Sequence, residues 1–110
     1  MKLEELNIAD GRITEILSRP GIVIIKFMDW QEKKWNIIFD NVLALQCIGY
    51  ENEDIAEVNN RCSDDFLAQV KKHEGEDEEL EGVKCYSFIS AWKNEAVLKI
   101  VASTTKVELG

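Results

Sequence analysis

Ile22-Val23-Ile24-Ile25-Lys26-Phe27-Met28 is the stretch that decides the class of this chain. It is rich in β-branched residues, whose restricted side-chain torsions suit a pleated sheet. It is apolar at nearly every position, as expected of a strand covered on both faces. Arg19-Pro20-Gly21 precedes it. The only proline of the chain therefore stands at a break, where no ladder hydrogen bond is lost.

Working outward, Asp29 to Lys33 is short and polar, and Trp35-Asn36-Ile37-Ile38-Phe39 resumes the apolar run. Two such runs around a short polar loop predict a β-hairpin. Alternation places Trp35, Ile37 and Phe39 on one face. Asp40-Asn41 turns the chain, and Val42 to Ile48 follows as a third consecutive extended segment, completing an antiparallel meander. On the N-terminal side, Asp10-Gly11 signals a turn before a strand over Arg12 to Leu17. Late in the chain, Val83 to Trp92 reads as a strand with Tyr86, Phe88 and Ser90 on one face. Lys93-Asn94-Glu95 turns it back into Ala96 to Ala102, and Thr104 to Leu109 is expected as a last edge strand.

Between these β-segments, residues 50–60 are acidic and show no period. Ser63 is a good N-cap, followed by Asp64 and Asp65 where a helix dipole favours acids. Phe66, Leu67 and Val70 fall at helical spacing, Lys71, Lys72 and His73 follow, and Gly75 is a stop signal. The expected architecture is a single α+β domain over residues 1–110. It is mainly antiparallel sheet, a meander plus a C-terminal hairpin, with one helix over about residues 63–74 packed on it.

A chain of 110 residues with 45% hydrophobic content can bury a core without metal or disulfide support. The net charge is −8 and is unevenly placed. Residues 51–81 hold twelve acids and three bases, a balance of −9, whereas the remainder has nine acids and ten bases. Such acidity argues against nucleic acid or an anionic membrane as partner and favours a basic protein. The start Met1-Lys2-Leu3-Glu4-Glu5 lacks the apolar core of a signal peptide. No stretch is apolar for long enough to span a bilayer. The expected compartment is the cytoplasm, with Cys47, Cys62 and Cys85 as free thiols.

No motif carries chemistry. The sequence lacks the glycine patterns of phosphate-binding loops, a zinc-protease helix and a nucleophile elbow. His73, the single histidine, has no serine beside it, and Cys62 and Cys85 lie at spacings that match no zinc pattern. The acidic run Glu76-Asp77-Glu78-Glu79 lacks the alternation and glycine of a calcium loop. The sequence therefore predicts no catalytic, cofactor or metal site. It predicts a protein-binding surface formed by Asp64, Asp65, Glu76, Asp77, Glu78 and Glu79, with Trp30 as its aromatic anchor. Trp92, beside Lys93, is a second tryptophan placed next to a turn.

Ile37-Ile38-Phe39-Asp40-Asn41-Val42-Leu43-Ala44-Leu45, an acidic segment, and then Ala96-Val97-Leu98-Lys99-Ile100-Val101-Ala102 form a pattern over most of the chain. The pattern resembles small bacterial proteins of the polymorphic-toxin immunity type. The resemblance implies neutralisation of a basic toxin through an acidic surface. It carries over no individual functional residue. Two other readings compete. One is a homodimer or other homo-oligomer formed through the edge strand Thr104 to Leu109. The other is a small-ligand binder or enzyme using a pocket between sheet and helix, with His73, Cys62 or Cys85 beside a carboxylate.

Overall fold

The computed structural model describes residues 2–49, 53–59 and 84–110. These form a short 3-10 turn, Leu3–Glu5, and eight strands. The strands are β1 (Gly11–Arg19), β2 (Ile22–Met28), β3 (Lys34–Asp40), β4 (Ala44–Cys47), β5 (Asp54–Asn59), β6 (Lys84–Ser90), β7 (Ala96–Ala102) and β8 (Thr104–Leu109). All pair antiparallel in one sheet of order β4-β7-β6-β5-β1-β2-β3-β8.

This overturns the α+β expectation. Among the described residues the fold is all antiparallel β, with no α-helix. The helix expected over 63–74 lies outside the described residues. The sheet is also more extensive than the sequence suggested, because the aperiodic stretch after residue 50 contains β5. A register shift between Ile55 and Glu57 breaks the two-residue alternation that would have revealed it.

The expected meander of β2, β3 and β4 holds between β2 and β3 and fails at β4, while β1 pairs antiparallel with the other side of β2. Only residues 41–43 separate β3 from β4, and Asn41 there has φ 54°. Three residues with one left-handed kink redirect the chain without reversing it, so β4 continues β3. Likewise Ser103 alone joins β7 to β8. The two continuous strands run antiparallel to each other, with Trp35 opposite Leu109 at one end and Cys47 opposite Leu98 at the other. The Ser103 N–H donating to the Asp40 carbonyl (3.2 Å) and the Leu43 N–H to the Val101 carbonyl (2.8 Å) carry the ladder across the joint.

The linear order therefore closes on itself. Around the ring stand β1, β2, β3–β4, β8–β7, β6 and β5, and β5 returns to β1. The returning seam is the weakest, with Gly11 opposite Ile55 and Arg12 opposite Asp54. Closure puts Phe39 of β3 against Tyr86 and Phe88 of β6, strands that are not neighbours in the ring. The ring centroids lie 5.2 and 6.3 Å apart in edge-to-face contact. Such contacts across the interior add about 0.5–1.5 kcal/mol each beyond area burial. Ile25, Ile37, Ile55, Leu98 and Ile100 fill the same core. Leu3, Leu6 and Ile8 fold the N-terminal segment onto it.

Gly11 has a specific steric reason. A Cβ there would meet Phe27 Cε1 at 2.7 Å and the Met28 carbonyl oxygen at 2.8 Å. Contact with Phe39 puts Tyr86 and Phe88 on the core face as expected, with Ile37 and Phe39 buried and Trp35 half-buried on the core, but Cys85 and Ser87 on the opposite face of β6 are buried as well. Cysteine chemistry departs from expectation at one position. Cys85 is disulfide-bonded, whereas Cys47 carries a free, exposed thiol. No helix among the described residues is long and apolar enough to cross a membrane.

Candidate functional site: the Trp92 turn

The turn between β6 and β7 is a closed, hydrogen-bonded loop. The Ser90 N–H donates to the Glu95 carbonyl (2.8 Å), and the Asn94 N–H donates to the Ser90 carbonyl (3.0 Å). Asn94 adopts φ 54°, a left-handed conformation that asparagine tolerates better than most residues. At the outer surface of this turn Trp92 is 80% exposed.

Two consecutive acids entering β5 hold the turn from the side. Glu53 Oε1 pairs with Lys93 Nζ at 2.9 Å, and Glu53 Oε2 accepts the Ser90 hydroxyl at 2.8 Å. The Ser90 oxygen in turn accepts the Lys93 N–H at 3.3 Å. Asp54 uses both its backbone and its side chain. Its carbonyl accepts the Ala91 N–H (2.8 Å), and Oδ2 accepts the Trp92 indole N–H (3.1 Å). Arg12 stands 3.9 Å from the other Asp54 oxygen. The Lys93 ammonium, then the Ser90 hydroxyl, hold the Glu53 carboxyl below the ordinary glutamate range. Glu53 in return raises Lys93. The result is a large aromatic ring facing solvent on a backbone fixed from below.

Trp30, the tryptophan expected as an anchor, is 57% exposed in the loop between β2 and β3. That loop is organised by Asp29. Its Oδ1 accepts the N–H groups of Gln31 and Lys33 (both 2.9 Å), and its Oδ2 accepts the Trp35 indole (3.0 Å). The Trp35 indole is the leading cause that lowers the Asp29 carboxyl, with the Lys33 and Gln31 N–H groups adding to it. Lys33 Nζ lies 4.6 Å from the Trp35 ring centroid, a cation–π contact. Both loops therefore use an aspartate to fix an indole. Trp35 is tied inward, and Trp92 is tied with its ring left in water.

The other expected partner-binding residues, Asp64, Asp65, Glu76, Asp77, Glu78 and Glu79, lie outside the described residues, as do Cys62 and His73. Sequence reasoning did not find Glu53, Asp54 or Ser90. The visible signal is a pair of acids before Ile55, which has no meaning until β5 is placed beside β6.

A cleft of about 570 Å³ lies between the N-terminal segment and β5. Leu3, Leu6 and Ile8 line one side, and Val58, Lys84 and Tyr86 line the other. Burial, then the charge of Glu4, raises the Tyr86 hydroxyl. The described lining residues include no histidine, serine or cysteine; the polar groups they bring are Glu4, Asn7, Glu57, Asn59, Lys84 and the Tyr86 hydroxyl. No three His, Cys, Asp or Glu side chains among the described residues converge as metal ligands. No family model, curated protein or solved structure matches the chain.

Proposed function

We propose that this chain is a non-enzymatic protein-binding module that grips its partner through the Trp92 turn. The observation that carries the reading is that Trp92 is 80% exposed while its indole N–H is already bonded to Asp54. An ordered, solvent-facing tryptophan loses little conformational freedom on binding and gains the full benefit of desolvation. Tryptophan is also among the residue types that dominate interface energetics.

The partner class follows from charge. The chain carries −8 overall, and residues 51–81 are its acidic part by sequence. A field of that sign accelerates encounter with basic proteins and repels polyanions. Occupying the working surface of a basic toxin is the concrete form of this activity, in line with the immunity-type resemblance.

The test is capture from the native host with two baits, the wild-type chain and Trp92→Ala, compared quantitatively. A basic protein retained by the wild type and depleted roughly tenfold or more on the variant supports the reading. Equal retention of every captured protein by both baits defeats it. A gene for a secreted protein with a variable C-terminal domain directly beside this one would support toxin neutralisation in particular.

A further inference from the structure

The ring leaves one long strand overhanging. Along the continuous β3–β4 strand, β2 covers the β3 half only, from Ile22 at Asp40 to Met28 at Lys34. The last bond on that side is the Val42 N–H to the Gly21 carbonyl, at 3.0 Å. Beyond it, among the described residues, β4 pairs with β7 alone. The Ile48 N–H donates to the Val97 carbonyl (2.8 Å), so by alternation Ala44 and Gln46 also direct their backbone groups at β7. Leu45 and Cys47 then direct theirs outward.

Among the described residues this edge has none of the usual protection. Exposed edge strands normally carry charge, proline or a covering segment. Asn41 to Tyr50 is instead the longest run in the chain without a charged residue or histidine, in a sequence that is 31% charged. Cys47 and Ile48 at its end are exposed, Ile48 by 60%. The opposite free edge differs. β8 carries Lys106 and Glu108 and is met by the N-terminal 3-10 turn.

We infer that the β4 edge is a self-pairing surface, at which a second copy of this chain adds its own β4 antiparallel about a two-fold axis beside Gln46. Leu45 then faces the partner's Cys47, and each exchanges both backbone bonds. Charge selects a second copy as the occupant. Two chains of −8 repel wherever their acidic surfaces meet, and this neutral run is the place where they can approach. A strand with no charge also has no pattern with which to select a foreign strand, whereas antiparallel pairing with itself is complementary by symmetry. The pairing closes both edges and stops at two copies. It is separate from the Trp92 turn and from the β8 edge expected by sequence.

Sedimentation equilibrium tests this on the full chain. The wild type is expected to dimerise with a dissociation constant on the order of micromolar, tightening as salt screens the like charges. Cys47→Pro deletes an outward N–H while leaving the β7 ladder intact. Gln46→Lys places two ammonium groups together at the axis, although it brings the net charge closer to zero. Each is expected to weaken association by about tenfold or more, with an unchanged circular dichroism spectrum. Leu109→Lys, at the end of β8, should leave the dimer intact. A wild type that stays monomeric at roughly millimolar concentration in ~0.5 M salt overturns the inference. So does a dimer that survives in both β4 variants, or one abolished by Leu109→Lys.

Discussion

Asp54 and Trp92, 38 positions apart, meet through a 3.1 Å hydrogen bond from the indole N–H to Oδ2. The same aspartate accepts the Ala91 N–H through its carbonyl. One residue thus fixes both the turn's backbone and the ring it displays. Asp54→Ala keeps the backbone bond and removes the side-chain acceptor. We expect the Trp92 indole proton to exchange faster and its side chain to sample more rotamers. Because the bond is exposed, the stability change should stay below about 1 kcal/mol. Partner affinity should fall well beyond what that change explains. An indole signal identical to wild type would remove Asp54 from this role.

The Glu53–Lys93 brace should set a pH window for the turn. Glu53 lies below the ordinary value of 4.5, so its contribution is complete above that value and is lost as pH falls through its lowered folded value. Lys93 lies above 10.5, so its contribution is complete below that value and is lost as pH rises through its raised one. The Lys93 amide and Trp92 indole resonances are therefore expected to stay constant between these limits and to move outside them. A transition centred near neutrality would contradict the assignment.

At Gly11 the close approach of Phe27 gives a steric prediction. Gly11→Ala forces the Phe27 ring or the β1–β2 backbone to shift. The expected cost is about 1–3 kcal/mol, typical of overpacking. Since Gly11 also opens the two-pair seam to β5, amide exchange at Ile55 should accelerate with it. Denaturant melts together with exchange at Ile55 would check this, and a neutral substitution would show that the contact relaxes without cost.

Cysteine mapping separates the two described cysteines. Alkylation of the native chain should modify Cys47, and Cys85 should react only after reduction. Partial burial raises the Cys47 thiol above its ordinary value of 9.0, so its modification should be slow at neutral pH and accelerate in base. Peptide mapping that finds Cys85 modified without reductant would refute this.

The sequence by itself determined the strands carried by dense apolar and β-branched runs. Ile22 to Met28, Trp35 to Phe39 and Ala96 to Ala102 were all legible, because side-chain period and β-branching are local properties. It also pointed to Trp30 as a surface tryptophan beside a loop, and Trp30 is exposed. Tertiary structure alone decided the rest. A bulge at Ala56 hid β5, since one extra residue inverts the faces that alternation reveals. The continuation of β3 into β4, where a return was expected, depended on Asn41 and on the ladder to Val101, a residue 60 positions away. The brace under Trp92 depended on setting Glu53 and Asp54 beside Ser90. A chain can encode such pairings, but a local reading cannot recover them, because their stabilisation comes from groups that become neighbours only once the sheet has closed.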